Sequence, residues 1–312
     1  MPAAERPGGG APVVVLAGGT GGAKLARGML DVVGDDLVVI ANTADDVEIH
    51  RAHVSPDPDL VTYWLADRID ERGWGLRDDT FHVMEGLREL GEDVWFNLGD
   101  RDLAVCLRRA ERLAAGARLT EALAELGASL GVRARVVPMS DAPVRTRVLA
   151  GGEWWPFQEF MIRRRGEGPV EGVEYEGVRA ASPPPEALDA LAAARAVIVG
   201  PSNPVISIGP ILAVPGMSEA IRERGAPVVA VSPIVDGEVL KGPTAAFLEW
   251  AGQTMDAAGI AATYRGVIDG LVTDERTDVG IPSLVTSTLM ADAESRERVA
   301  RETLEFALAL AK

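Results

Sequence analysis

Short apolar runs alternate along this chain with longer stretches of helical periodicity. Val13-Val14-Val15-Leu16-Ala17 comes first, Leu37–Ala41 second, and Ala196–Val199 and Pro227–Val231 recur in the second half. Brief apolar runs bounded by turn residues predict strands buried on both faces. Between them the period lengthens. Asp57 followed by Pro58 suits a helix N-cap and first position, with Val61, Leu65 and Ile69 as the apolar stripe. Thr120 suits the start of a helix carrying Leu123, Leu126 and Leu130, which Gly131 stops. Val94-Trp95-Phe96 reads as a third strand leading to a helix over Leu103–Leu113. Later strands are expected near Val267–Val272 and Ser283–Thr286, with a closing helix from Ala291 to Leu310.

Such alternation predicts an α/β fold, a doubly wound, mostly parallel, Rossmann-like sheet. Residues 134–182 depart from it. They carry turn glycines and clustered aromatics, and read as a smaller strand-rich insertion closed by Pro183-Pro184-Pro185. The whole of 12–312 is expected as one domain behind a Pro/Gly-rich leader, 1–11, read as disordered.

The first strand enters Gly18-Gly19-Thr20-Gly21-Gly22-Ala23-Lys24. A glycine-rich turn at a helix N-terminus attracts phosphate through free N–H groups and the helix dipole. Two familiar fingerprints miss. A P-loop ends in Gly-Lys-Ser/Thr, and here Ala23-Lys24-Leu25 lacks the hydroxyl for Mg²⁺. The dinucleotide fingerprint needs a third glycine where Lys24 stands. A plain tight connection is the bland alternative. Lys24 argues against it, being one of only three lysines in the chain.

Other polar loops also follow predicted strands. They are Asn42–Asp46, Asn97–Asp102, Gly200–Gly209 and Ser232–Gly237. In doubly wound sheets, ligands sit outside the carboxyl ends of the strands, so one geometry would gather all of them with the glycine turn. Each has a structural reading beside the functional one. Asp45-Asp46 suits a divalent cation or a solvated turn. Asp57 is explained by capping, Asp59 by the first-turn dipole, and Asn97–Asp102 by a capping cluster. Donor-rich loops with paired acids suggest metal-assisted chemistry on a phosphate or diphosphate.

Composition narrows the partners. A formal charge of −16 over 312 residues disfavours nucleic acid and anionic membranes. A lone Cys106 excludes an internal disulfide and a cysteine-built zinc site, and suits a reducing cytoplasm.

The ordered blocks resemble the CofD family, called FbiA in actinobacteria: 2-phospho-L-lactate transferases of coenzyme F-420 biosynthesis. The resemblance rests on Gly18–Gly22 with Lys24, Asn42–Asp46, Ser55–Asp59, Leu98–Asp102, Met139-Ser140-Asp141 with Arg145-Thr146, Phe157-Gln158-Glu159, Gly200–Pro204 with Ser207–Ile211, and Ser232-Pro233-Ile234. It implies transfer of a phospholactyl or enolpyruvyl phosphate group from a guanosine diphosphate ester to a deazaflavin alcohol (Fo), with GMP leaving. It implies Mg²⁺ among Asp45, Asp46 and Asp59; a carboxylate near the alcohol, Asp46 or Asp59, is the expected proton acceptor on chemical grounds. Deazaflavin contacts would fall on Asp59 and Asn97, with Met139, Ser140 and Asp141. The nucleotide would be held by Gly18, Gly19, Thr20, Gly21, Gly22 and Lys24, together with Ser202, Asn203, Ser207, Ile208, Gly209 and Ser232. The family also suggests a homodimer.

Pro58, His50-Arg51 and Ala104-Val105-Cys106 depart from the family's usual residues without touching the acidic or glycine positions. Two rivals remain. One is a non-catalytic nucleotide-sugar-binding regulator of the YvcK-like type, which would lack the Met139–Thr146 and Phe157–Glu159 blocks. The other is a nicotinamide-dependent oxidoreductase, opposed by the missing third glycine.

Overall fold

The computed structural model describes residues 10–223, 225–239, 243–276 and 278–311. Residues 1–9 of the expected leader lie outside them.

In chain order the strands are β1 (Val13–Ala17), β2 (Leu37–Ala41), β3 (Val47–Ile49), β4 (Ala52–Val54), β5 (Arg135–Pro138), β6 (Arg145–Ala150), β7 (Glu153–Pro156), β8 (Gly172–Glu176), β9 (Ala196–Val199), β10 (Val228–Val231), β11 (Ile234–Val235), β12 (Glu238–Val239), β13 (Gly270–Thr273) and β14 (Ser283–Val285). The helices are α1 (Gly19–Val33), α2 (Pro56–Leu65), α3 (His82–Glu89), α4 (Asp100–Ala114), α5 (Leu119–Ser129), α6 (Phe157–Ile162), α7 (Pro185–Ala193), α8 (Gly209–Ala213), α9 (Met217–Glu223), α10 (Thr244–Trp250), α11 (Ala257–Thr263) and α12 (Ala293–Leu310).

Seven strands make one parallel sheet in the order β14-β13-β10-β9-β1-β2-β5. Its central strands are wholly buried because helices cover both faces. Val14 and Leu16 of β1 pack with Ala187 and Leu191 of α7, Ile211 of α8 and Ile260 of α11. Val13, Val15 and Ala17 point the other way, to Leu25 and Met29 of α1, Val61 of α2 and Leu304 of α12. The period of two thus divides one apolar run between two cores. The chain winds from β1 out to β5, then returns to β9 on the other side of β1. That reversal creates the crevice in which such sheets bind ligands.

Several expectations need correction. Val94–Phe96 forms no strand. The edge of β2 is taken by β5, and these three side chains instead pack beside Leu98, Leu103 and Cys106. The insertion proper runs from β6 to β8, an antiparallel sheet in the order β7-β6-β8, because Arg135–Pro138 belongs to the main sheet. Ser55, not Asp57, precedes the first turn of α2, and Ile69 lies beyond that helix in a bridge to Leu76. Arg118 rather than Thr120 holds the N-cap position of α5, and its N–H donates to the Glu121 carboxylate at 2.9 Å.

The insertion is docked rather than peripheral. Val148, Ala150, Phe157 and Phe160 share a core with Val205, Ile206 and Phe247. Tyr175 donates its hydroxyl hydrogen to the Val205 carbonyl.

Candidate active site

A cleft of about 670 Å³ opens at the carboxyl end of the sheet, on the reversal between β1 and β9. Gly18 is extended, and Gly19 takes the left-handed region at φ +64° at the first position of α1. That φ removes the steric need for a longer connection and is open to glycine at little strain. Close approach explains the next pair. A Cβ at Gly21 would lie 2.0 Å from the Pro201 carbonyl oxygen, and one at Gly22 2.7 Å from Ser202 Oγ. The two loops therefore touch backbone to backbone. Ser202 fastens them: its Oγ accepts from the Gly18 N–H at 3.3 Å and donates to the Gly18 carbonyl. Asn203 accepts from the N–H groups of Val205 and Ile206, capping a π-helical turn at Pro204–Ile208. Such turns recur at functional sites.

The acids divide into two sets. Asp57 and Asp45 line the cleft. Asp57 accepts from the Gly19 N–H at 2.6 Å and from Asn42 Nδ2 at 2.9 Å. Burial pushes its carboxyl up to about 6 despite those two donors. Asp45 is 7 % exposed, and its Oδ1 has no hydrogen-bond partner among the described residues. Burial, then the neighbouring Asp57, raise its carboxyl well above the usual range. A buried, unpaired carboxylate oxygen at a cleft wall fits a hard cation, which neutralises both charges.

Asp46 and Asp59, expected with Asp45 as metal ligands and bases, lie behind that wall. Asp46 accepts from Ser55 Oγ at 2.7 Å and lies 2.9 Å from His53 Nε2. At His53, burial opposes the imidazolium most strongly, but the hydrogen bond to Asp46 together with the charges of Asp46 and Glu48 outweighs it, raising the pKa. Asp59 is ion-paired with Arg109. Of the two acids in the first turn of α2, Asp57 meets the glycine turn and Asp59 faces Arg109. Both fit the first turn of α2, and only the fold reveals which one meets the glycine turn.

Of the expected nucleotide residues, Gly18, Gly19, Thr20, Gly21, Lys24, Ser202, Asn203, Ser207 and Ser232 line the cleft. Lys24 also donates to the Met290 carbonyl at 3.0 Å. Gly22 lies beneath Ser202, Ile208 is core, and Gly209 abuts Tyr175. The expected deazaflavin residues do not reach the cleft. Met139 is buried in the core, and Ser140 Oγ accepts from the Ala142 N–H. Asp141 is occupied by the N–H and hydroxyl of Thr120 at 2.8 and 2.7 Å. Asn97 is exposed and accepts from Arg88. Around it Asp100 accepts from the N–H groups of His82 and Val83 at the start of α3, whereas N–H groups in the first turn of α4 are met by Asp79 and not by the 97–102 loop itself. Sequence reasoning missed Trp74, Thr244, Thr288 and Met290 as cleft residues. Gln158 lines the cleft and donates to the Asp45 carbonyl at 3.2 Å.

Fold and site together define a doubly wound α/β protein whose cleft combines a phosphate-sized glycine turn with buried carboxylates. The chain matches the family described as 2-phospho-L-lactate transferase CofD over residues 13–302. It belongs to that family. It is 41% identical to the 2-phospho-L-lactate transferase of Methanopyrus kandleri over 310 residues, covering 94% of this chain and 97% of that protein. It is 39% identical to the phosphoenolpyruvate transferase of Streptomyces griseus over 311 residues, covering 95% and 98%. Among solved structures, a UPF0052-family protein from Bacillus halodurans superposes with a TM-score of 0.65 at 16% identity, covering 95% of this chain and all of that one, which is a likeness of fold. No single helix among the described residues is long and apolar enough to cross a membrane.

Proposed function

We propose that this protein transfers a phospholactyl or enolpyruvyl phosphate group from a guanosine diphosphate ester (lactyl-2-diphospho-5'-guanosine or enolpyruvoyl-2-diphospho-5'-guanosine) to the terminal ribityl hydroxyl of the deazaflavin alcohol Fo. GMP leaves, and the product is coenzyme F-420-0 or its dehydro form. The observation that carries this reading is the junction of Gly18–Lys24 with Pro201–Ser207 beside the unpaired Asp45 oxygen. Full-length identity to curated transferases supports a transferase over a non-catalytic regulator.

The N-terminus of α1 supplies N–H groups without helical partners and the positive dipole end. These hold the diphosphate and stabilise charge on the group in transfer. Ser202 fastens the opposing loop to the Gly18 backbone, so that both loops present their polar groups at one end of the cleft. Mg²⁺ is bound in proteins by one or two carboxylates plus substrate phosphates; Asp45 is the first here and Asp57 the second. An ion held by these carboxylates would supply charge neutralisation at the diphosphate and so make GMP a better leaving group. Asp46 and Asp59 act behind this pair, since their oxygens are engaged by Ser55, His53 and Arg109. A loose phosphoryl-transfer transition state asks little of a general base. A cytoplasmic homodimer belongs to the same proposal.

The test is incubation of the protein with Fo, Mg²⁺ and each donor in turn. The expected result is GMP together with a phosphorylated deazaflavin from one donor. No GMP and no such product from either donor would overturn the reading.

A further inference from the structure

Trp74 is 44% exposed and stands in the cleft wall. Isolated exposed aromatics need no explanation, but this one is held in place. Residues 68–77 fold back on themselves through Arg77 N–H to the Arg68 carbonyl at 2.8 Å and Asp70 N–H to the Gly75 carbonyl at 3.1 Å. Ile69 and Leu76 pair at the base and are buried with Tyr63. Gly73 and Gly75 flank Trp74 at φ +84° and +68°, so the tip turns sharply around the indole. Asp70 Oδ1 accepts from the Arg72 N–H and from Arg72 Nε at 3.0 and 2.6 Å. The fixed guanidinium lies 4.4 Å from the Trp74 ring centroid and 5.2 Å from that of Phe81. Phe81 meets Trp74 edge-on at 6.4 Å. The indole is thus backed by a cation and an aromatic edge before any ligand arrives.

We propose that Trp74 is a stacking platform for a flat fused-ring heteroaromatic group of a substrate. This rests on the reaction proposed above, whose two substrates both carry such a ring, guanine in one and deazaflavin in the other. The phosphates are provided for at the glycine turn. The rings need planar apolar surface, and the same cleft offers Phe157 and Met161 from the insertion. A pre-positioned indole loses little freedom on binding, so its contact area goes into affinity. Trp74 is a specificity residue that offers ring surface and no group for the chemistry at phosphorus.

The test measures binding of GMP and of 5-deazariboflavin separately, each with Mg²⁺, to the full chain and to Trp74→Ala, Trp74→Phe and Trp154→Ala. Trp154 is exposed beside Arg147 on β7 and lies outside the cleft. Thermal melts of each variant verify folding. Trp74→Ala is expected to weaken one of the two ligands by roughly 5- to 150-fold. Trp74→Phe should retain most affinity and Trp154→Ala all of it. Which ligand weakens identifies the ring. Unchanged binding of both ligands to a folded Trp74→Ala overturns this inference and leaves the reaction standing. A wild-type protein that binds neither ligand overturns both.

Discussion

Arg109 and Asp59 form a fork-to-fork pair in the interior. Arg109 has no exposed surface, and its Nη1 donates to Asp59 Oδ2 at 3.1 Å and to the His53 carbonyl at 2.8 Å, while Nη2 donates to Asp59 Oδ1. One guanidinium thereby joins α4, α2 and β4 directly behind the cleft. Breaking a buried pair leaves an uncompensated charge, which typically costs about 3–5 kcal/mol. Arg109→Met is expected to destabilise by that amount in urea unfolding. Arg109→Lys should recover little, since an ammonium lacks the planar fork. The double change Arg109→Met with Asp59→Leu should recover most of the loss. If Arg109→Met unfolds like wild type, the pair does not hold these elements together.

Mg²⁺ should raise the melting temperature of wild type, by the equivalent of about 2.7 kcal/mol at one hundred times its dissociation constant. Asp45→Asn should abolish the rise while melting no lower than wild type without Mg²⁺, because it removes a buried acid that repels Asp57. Protons compete for the same carboxylates. With Asp57 at about 6, the Mg²⁺ effect should fade as pH drops through that value. An equal Mg²⁺ shift in wild type and Asp45→Asn would remove Asp45 from the site.

Gly21→Ala tests the contact between the two loops. Its Cβ would require the Pro201 carbonyl to move from 2.0 Å. Overpacking of this kind costs about 1–3 kcal/mol. Because the strain falls on the junction, donor KM should rise roughly tenfold or more, with little change in Fo affinity. Steady-state kinetics with each substrate varied in turn separates the two.

Asp102 gives a pH signature of its own. It accepts from the Tyr63 hydroxyl at 2.7 Å, and burial followed by the neighbouring Asp59 pushes its carboxyl up to about 7. A folded-state pKa above the unfolded value near 4 contributes stability that is complete below pH 4 and lost as pH rises toward 7. Asp102→Asn keeps an acceptor for Tyr63 and removes the titration. It should stabilise the protein at pH 8, on the order of 1–3 kcal/mol, and change little at pH 4. Chemical denaturation at the two pH values shows whether the difference is present.

The sheet was legible because β1, β2, β9 and β10 are unbroken apolar runs, which is what burial on both faces demands. Val94–Phe96 shows the limit of that signal. An apolar triplet packs equally well without a strand, and only the presence of β5 beside β2 decides the matter. The glycine turn and the Pro201–Ser207 loop were legible because close backbone contact restricts residue type at each position. The choice between Asp57 and Asp59 was not. At the N-terminus of a helix, acids two positions apart satisfy the same dipole, while facing different sides of the helix. Trp74 was hidden for another reason: its place depends on contacts of Arg72 and Phe81 that no periodicity encodes.

The strand bearing the glycine turn emerges from the ribosome early, and one of its two neighbours emerges very late. Val13 pairs with Leu37 on one side and with Ala196 on the other. During synthesis the second edge of β1 must wait for some 180 residues, longer than a typical domain, with its hydrogen-bonding groups unsatisfied. Such long-range parallel pairing folds slowly and exposes the chain to aggregation. The phosphate cradle cannot exist before β9 docks, so recovery of nucleotide binding after dilution from denaturant should coincide with the slowest folding phase.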